Sequence, residues 1–110
     1  MTAILVVEDD SEHRFLLETH LVRAGCTVTT VVNAEDAMER FLLKTPDIVI
    51  VDLQLPGMTG WEFVRWLRIP GRPRCTVVSM SVLEFSDHPV VDGFLLKPFT
   101  RLQVLELLNI

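Results

Sequence analysis

A chain of 110 residues is long enough to form one domain around a single hydrophobic core. Its net charge of −5 argues against a nucleic-acid-binding surface, because phosphate backbones are bound by clustered lysine and arginine. No apolar run approaches the roughly 18 residues of a membrane span, and the N-terminal segment becomes acidic too early for a secretory signal. We therefore expect one cytoplasmic domain over residues 1–110 that contacts neither a membrane nor nucleic acid directly.

The hydrophobic content of 49% and the mean hydropathy of +0.36 are high for a domain of this length. Either the core is large or a partner covers some apolar surface. The two cysteines, Cys26 and Cys75, each open a separate apolar run, and neither has the spacing of a metal or redox motif. We expect reduced structural thiols.

Short apolar runs, mostly rich in β-branched residues, alternate with longer segments that carry apolar residues at helical spacing. In chain order the predicted elements are strand 3–7, helix 11–24, strand 27–32, helix 34–44, strand 47–52, helix 60–68, strand 75–80, strand 93–97 and helix 100–110.

Capping residues and apolar stripes support the predicted helices. Asp10 or Ser11 caps the first helix and Gly25 ends it, while Asn33 and Thr100 cap the second and last helices. The predicted core-facing positions are Phe15, Leu16, Leu17, Leu21, Val22 and Ala24 in the first helix, and Ala37, Met38, Phe41 and Leu42 in the second.

Strands that alternate with helices predict a doubly wound α/β domain, in which a parallel sheet is covered on both faces. Ligands of such sheets bind at the carboxyl ends of the strands, beside the topological switch point. Four of the five predicted strands end in polar groups: Glu8, Asp9 and Asp10; Asp52; Ser79 or Ser81; and Lys97. These groups are candidates for a shared site.

Carboxylates that converge in one crevice repel each other unless a cation lies among them or their pKa values rise. Oxygen ligands without histidine or cysteine suit Mg2+, which often binds a phosphate oxygen as well. Lys97 can neutralise a phosphoryl oxygen and a serine hydroxyl can donate to another, so Asp52 is the natural nucleophile. Taken singly, Asp52 fits a turn former and Lys97 a surface lysine, so their joint placement carries the hypothesis.

Three motifs resemble the receiver domains of two-component response regulators: ILVVEDD at 4–10, DIVIVDLQLPGMTGWEF at 47–63 and LKPF at 96–99. The resemblance covers essentially the whole chain and implies the flavodoxin-like strand order 2-1-3-4-5. It also implies that Asp52 accepts a phosphoryl group from a histidine kinase or phosphotransfer protein. Such a domain is a signalling switch that catalyses its own phosphoryl transfer and dephosphorylation.

The same resemblance implies a Mg2+ site and its ligands. Asp9, Asp52 and the backbone carbonyl of Gln54 would bind the ion directly, and Glu8 would act through water. Lys97 would pair with the phosphoryl oxygens.

Two further residues follow from the resemblance. Pro98 would follow a cis peptide bond, and Gly60 would begin the third helix close to the site.

The sequence departs from the family after the fourth strand. The switch hydroxyl is Ser79 or Ser81. The position within the strand favours Ser79, whereas the distance from Asp52 along the chain is closer to the family's usual spacing for Ser81; Ser79 is preferred. The switch aromatic maps to Phe94, which lacks a hydroxyl. Because the segment between Ser79 and Lys97 is short and contains Pro89, we expect a shortened or distorted fourth helix between the last two strands. The usual output surface is therefore in question.

Trp61 and Trp66 lie on opposite flanks of the third helix's core stripe. We expect each to cover an edge of the core; alternatively one of them, preferably Trp66, anchors an output domain or partner protein. His13 and His20 are expected at the surface. Homodimerisation is left open, and so is the choice between a stand-alone receiver and part of a longer regulator.

Three alternative functions are considered. A pseudo-receiver would keep the fold but signal without phosphorylation. The complete acidic set and Lys97 argue against it, and the altered fourth helix argues for it. A phosphohydrolase with an aspartate nucleophile needs a second acid where this chain has Gln54. A dinucleotide-binding domain needs glycine after the first strand, and none is present.

Overall fold

The computed structural model of the chain describes residues 2–82 and 91–109. The elements are β1 (Ala3–Val7), α1 (Ser11–Arg23), β2 (Thr27–Val31), α2 (Ala34–Leu43), β3 (Ile48–Asp52), α3 (Gly60–Leu67), β4 (Thr76–Ser81), β5 (Gly93–Leu96) and α4 (Arg101–Leu107). Each element lies where the sequence predicts it. The shortened helix expected between β4 and β5 would fall on residues 83–90, which lie outside the described residues.

The five strands form one parallel sheet in the order β2-β1-β3-β4-β5, which confirms the predicted doubly wound α/β fold. Ile50 of β3 pairs with Val6 of β1 and with Val78 of β4. At the carboxyl edge, Asp52 pairs with Met80, and the Lys97 N–H donates to the Ser81 carbonyl at 2.8 Å. The polar groups that end these strands therefore share one edge.

Side chains alternate between the two faces of the sheet and build a core on each. On one face Leu5 and Val49 pack with residues of α2 and α3, such as Phe41. On the other, Ile4 and Ile50 pack with residues of α1 and α4. Strands β1 and β3 are buried on both faces, which explains why they are apolar almost throughout.

The sequence pattern predicts more core-facing residues in α1 and α2 than the structure buries. In α1 only Leu17 and Leu21 are buried, whereas Phe15 is 70% exposed and Val22 is 54% exposed. At about 100° per residue, Phe15 points roughly 160° away from Leu17, so it cannot reach the sheet.

The remaining stripe positions follow the same geometry. Leu16 and Ala24 of the α1 prediction are exposed, and Ala24 is the C-cap. In α2 the predicted Leu42 is 66% exposed, since it lies about 100° around the axis from the buried Phe41. A large part of the apolar content therefore lies on the helix surfaces.

Side-chain caps fix where the helices begin. Asp10, rather than Ser11, caps α1, and its Oδ1 accepts from the His13 N–H at 2.9 Å. Asn33 and Thr100 cap α2 and α4 as predicted. Each such cap stabilises a helix by about 1 kcal/mol.

Trp66 is half-buried and covers an edge of the core, the first of its two expected roles. Its ring stacks on Phe63 with centroids 5.8 Å apart and meets Phe41 edge-on at 5.6 Å. The Arg72 guanidinium carbon lies 3.7 Å from the ring centroid. Trp61 is also half-buried.

The two cysteines and the lengths of the helices also agree with the sequence analysis. Cys26 and Cys75 are both free, as predicted. Of the helices within the described ranges, none has the length and apolar character needed to cross a membrane.

Candidate functional site

Three buried charged residues meet at the carboxyl edge of the sheet. Glu8 follows β1, Asp52 ends β3 and Lys97 follows β5. The Lys97 Nζ lies 2.7 Å from the Asp52 Oδ2 and also pairs with the Glu8 Oε1. The parallel strands thus place one ammonium group between two carboxylates.

Asp9 adds a third carboxylate to this group. Glu8, Asp9 and Asp52 each offer an oxygen, and these oxygens lie within 4.8 Å of one another. Three carboxylates against one ammonium leave an excess of negative charge, and the donors are all hard oxygens. This donor set fits Mg2+.

Gln54 also contacts Asp52. Its backbone N–H donates to the Asp52 Oδ1 at 2.9 Å, while Lys97 holds the other carboxylate oxygen. Asp52 is therefore fixed in orientation from both sides.

The surroundings push the pKa values of the two buried acids apart. Burial raises the pKa of Glu8 to about 7; its hydrogen bond with Lys97 opposes the rise, and the neighbouring Asp52 adds to it. Burial also acts to raise the pKa of Asp52, but hydrogen bonds with Lys97, Glu8 and the Gln54 N–H outweigh it and lower that pKa. Asp52 is therefore the more acidic member of the pair, and Glu8 titrates near neutral pH.

The pKa of Lys97 moves in the direction that keeps it charged. Burial acts to lower it, and the hydrogen bonds and charges of Asp52 and Glu8 more than compensate, so that it is raised. An ammonium beside an ionised Asp52 is the arrangement that the geometry favours.

Glu8 gives the metal-free fold a pH dependence. Because its pKa rises from 4.5 to about 7 on folding, the native state keeps a proton that the unfolded chain releases between these values. Its effect on stability is zero below about pH 4.5 and destabilising above it. We expect the free energy of unfolding to fall by roughly 3 kcal/mol as the pH rises from 4.5 to 7. Urea unfolding in EDTA across this range measures the effect.

Two variants isolate the contribution of Glu8. The protein with Glu8→Gln is expected to lack the decline and to exceed the wild type in stability at pH 8. Glu12→Gln, which alters an exposed carboxylate of α1, should keep it. Parallel wild-type and Glu8→Gln profiles would contradict the predicted role of Glu8. Asp52 acts in the opposite direction only around and below its ordinary pKa of 3.8.

The loop after Asp52 is held tightly against the sheet. The Leu53 N–H donates to the Met80 carbonyl at 2.9 Å, and the Gly60 N–H donates to the Leu53 carbonyl at 3.2 Å. A Cβ atom on Gly60 would lie 2.1 Å from the Asp52 carbonyl oxygen. Only glycine permits α3 to begin this close to the site.

Lys97 is followed by a cis peptide bond to Pro98, as the family resemblance implies. Thr100 then caps α4, and Phe99 is buried in the core.

The two candidate serines lie at different heights on β4. Ser79 pairs with Val51, one residue before Asp52, and its buried Oγ has no hydrogen-bond partner among the described residues. Ser81 ends the strand, and its Oγ lies 3.4 Å from the Gln54 side-chain oxygen. Ser81 is therefore nearer the edge where the charged groups meet.

Phe94 is half-buried on β5 and pairs in register with Ser79. Residues 79, 81 and 94 point to the face of the sheet opposite to that of residue 95, since side chains alternate along strands. Asp52 pairs with Met80, which in turn pairs with Leu95, so Asp52 lies on the same face as residue 95. The proposed switch residues therefore lie at the same edge of the sheet as the charged cluster but on the opposite face.

Two residues at the rim of the site were not predicted. The Arg14 side chain donates to the carbonyls of Glu8 and Asp9 at 3.0 and 3.3 Å, which fastens the loop between β1 and α1. His13 was expected at the surface; it is half-buried, with its Nδ1 3.8 Å from the Glu8 Oε1 and 3.6 Å from the Asp10 Oδ1. Their position in the first turn of a helix that starts at the crevice is the sequence feature from which both could have been predicted.

Comparison with known sequences identifies a family over nearly the whole chain. The sequence model of the response regulator receiver domain matches residues 4–109. The DNA-binding transcriptional regulator NtrC of Escherichia coli (strain K12) is 35% identical over an alignment 101 residues long, which covers 87% of this chain and 22% of NtrC. The transcriptional regulatory protein GltR of Pseudomonas aeruginosa is 33% identical over an alignment 110 residues long, which covers 94% of this chain and 46% of GltR. The chain spans less than half the length of these relatives.

Solved structures share the fold. The chemotaxis response regulator CheY4 of Vibrio cholerae superposes with a TM-score of 0.91 at 25% identity, covering 99% of this chain and 97% of CheY4. A sensor protein from Polaromonas sp. JS666 gives a TM-score of 0.85 at 32% identity, covering 98% and 94%. The agreement extends over almost the full length of each structure.

Proposed function

The chain belongs to the response regulator receiver domain family, and from that premise we propose that Asp52 accepts a phosphoryl group from a phosphohistidine in two-component signalling. The donor is a histidine kinase or a phosphotransfer protein. The observation that carries the proposal is the contact of the Lys97 ammonium with Asp52, whose pKa is lowered, at the site where three strands end.

The transfer step follows from the charges of the site. A carboxylate oxygen of Asp52 attacks the phosphorus and forms a new P–O bond. The P–N bond of the phosphohistidine breaks at the same time. The imidazole, which carries a proton on its other ring nitrogen, leaves as neutral histidine. The lowered pKa keeps Asp52 ionised, and the Gln54 N–H orients it. Lys97 compensates the charge that develops on the phosphoryl oxygens.

Mg2+ would be held by Asp9, Asp52 and the Gln54 carbonyl, with Glu8 acting through water. When bound, it neutralises charge on the phosphoryl oxygens and on the acidic cluster. The hard-oxygen donor set supports this ligand assignment.

The domain acts as a switch without an external metabolic substrate. We expect the domain in the cytoplasm, together with the catalytic part of the kinase that donates the phosphoryl group. An output domain or partner protein recognises the phosphorylated state. The Trp66 ring is covered by Phe63 and Arg72, which argues against Trp66 as the anchor for that partner.

Phosphorylation of Asp52 is tested with acetyl phosphate and Mg2+. We expect the mass of the intact protein to increase by one phosphoryl group, in an acid-stable and base-labile linkage. Asp52→Asn should abolish the increase, and so should removal of Mg2+ with EDTA. Asp36→Asn, which changes an exposed carboxylate of α2, serves as the matched control and should be phosphorylated normally.

The same experiment separates a phosphoacceptor from a pseudo-receiver. If the folded wild-type protein acquired no phosphoryl group from acetyl phosphate or from its cognate kinase, phosphoryl acceptance would be rejected and the pseudo-receiver function would be favoured. Phosphorylation that persists in Asp52→Asn would reject Asp52 as the acceptor.

For the switch hydroxyl we now propose Ser81 in place of Ser79. The contact of its Oγ with Gln54 and its position at the end of β4 support this choice. Ser81→Ala is expected to slow phosphorylation by about tenfold, the effect of losing roughly one net hydrogen bond in the transition state. Ser79→Ala should change the rate little. The opposite result in rates measured with acetyl phosphate would restore Ser79.

A further inference from the structure

The largely apolar cavity at the opposite end of the sheet has no part in the proposed phosphoryl transfer. It has a volume of about 200 Å³ and lies between α2 and the N-terminal ends of β1 and β2. Thr27 and Thr29 of β2 and the buried Leu5 of β1 line one side, and Leu43, the last residue of α2, lines the other. The cavity exists because α2 ends before it covers this part of the sheet.

The cavity combines an apolar lining with positive charge. Arg40 and Lys44 are charged residues of its lining, which contains no aspartate or glutamate from the described part of the chain. In an acidic protein of net charge −5, this is a local excess of positive charge. Electrostatic complementarity favours an anion at this position.

Among the described residues neither cation is held in an ion pair, although Asp36 and Glu39 line the adjoining groove together with Arg40. Within residues 2–82 and 91–109, no ion pair involves Arg40 or Lys44. Asp36 precedes Arg40 by four residues, a spacing that allows a helical ion pair, yet the two do not pair. Arg40 in the last turn also suits the helix dipole, but this does not account for the adjoining apolar cavity.

The size of the cavity limits the ligand. At roughly 30 Å³ for a group the size of a water molecule, the cavity holds about seven such groups, and it is smaller than typical drug-sized pockets. An apolar body of about six to eight carbons fits this space. Two threonines, Arg40 and Lys44 also line the cavity, and they supply the polar groups that could bind a charged head group.

We propose that this cavity binds a small organic anion, a medium-chain carboxylate with its apolar chain against Leu5 and Leu43 and its head group at Arg40 and Lys44. The site is separate from Asp52, so the proposal does not rest on phosphorylation of Asp52.

Octanoate is the probe, and binding is followed through backbone amide NMR shifts of the full chain. We expect saturable shifts at Leu5, Thr29 and Leu43, and at least about tenfold weaker binding of octanol, which lacks the charge. The double variant Arg40→Gln/Lys44→Gln should weaken octanoate binding by a similar factor. Arg23→Gln/Arg65→Gln removes the same charge from exposed positions outside the cavity and should leave the affinity unchanged.

Several results would overturn the proposal. No saturable shift at 10-millimolar octanoate, on the order of the weakest affinities of interest, rejects the site. Equal binding of octanol rejects the role of charge, and equal weakening in both double variants rejects a local role for Arg40 and Lys44. If inorganic phosphate bound as tightly as octanoate, the apolar part of the proposal would be wrong. Binding retained in Asp52→Asn is expected whatever the outcome of the phosphorylation experiment.

Discussion

Replacing Lys97 with methionine is expected to lower the free energy of unfolding at pH 8 by about 3–5 kcal/mol in the absence of Mg2+. Methionine preserves most of the length but leaves the buried carboxylates of Glu8 and Asp52 without their counter-charge. At pH 5 the loss should be smaller, because Glu8, whose pKa is about 7, is then protonated. Saturating Mg2+ should restore part of the stability. Urea unfolding at the two pH values measures these differences.

The same substitution should slow phosphorylation by acetyl phosphate by about 10²-fold, since a charged donor to the developing phosphoryl charge is lost. Lys44→Met makes the same chemical change at an exposed position, and we expect it to alter stability by no more than about 0.5 kcal/mol. Lys97→Met with wild-type stability at pH 8 and a wild-type rate would contradict the assignment of Lys97 as the counter-charge.

Gly60→Ala is expected to destabilise the fold by about 3 kcal/mol or more and to prevent phosphorylation. The new Cβ would lie 2.1 Å from the Asp52 carbonyl oxygen and 2.6 Å from the Leu53 Cα. Both are backbone atoms, so either α3 or the acceptor strand must move. Urea unfolding and the acetyl phosphate assay measure the two effects.

Gly71→Ala is the matched control, because it adds the same methyl group in open space. Nothing lies within 4 Å of its Cβ position, and its φ of +90° imposes a cost of about 1 kcal/mol. Phosphorylation should be normal. If the two alanine variants were equally destabilised, the close approach at Gly60 would not be the cause.

The order of elements could be predicted from the sequence because local patterns determine it. The runs that form β1 and β3 are apolar almost throughout, and Asn33 and Thr100 mark helix starts by their own chemistry. The candidate site could be located for a related reason: parallel strands end at one edge, so Asp52 and Lys97 converge without knowledge of any contact.

Properties that depend on three-dimensional packing could not be predicted. The exposure of Phe15 and Leu42 depends on how each helix lies on the sheet, which apolar spacing alone does not specify. The raised pKa of Glu8 depends on its burial and on the position of Lys97, a residue distant in the sequence. Counting residues left Ser79 and Ser81 undecided, because their heights depend on the register of β4 against β3.

The contact between Gly60 and the acceptor strand also has a mechanical consequence. No side chain separates Gly60 from the acceptor strand, and the Gly60 N–H donates to the Leu53 carbonyl. Asp52 and the start of α3 therefore have little room to move relative to each other. The eight-residue helix is about 12 Å long and ends near Trp66, whose ring lies beneath the Arg72 guanidinium. We therefore expect a displacement of the Asp52 backbone to move α3 as one rigid body. Trp66, at the end of α3 farther from Asp52, can report this motion by its fluorescence.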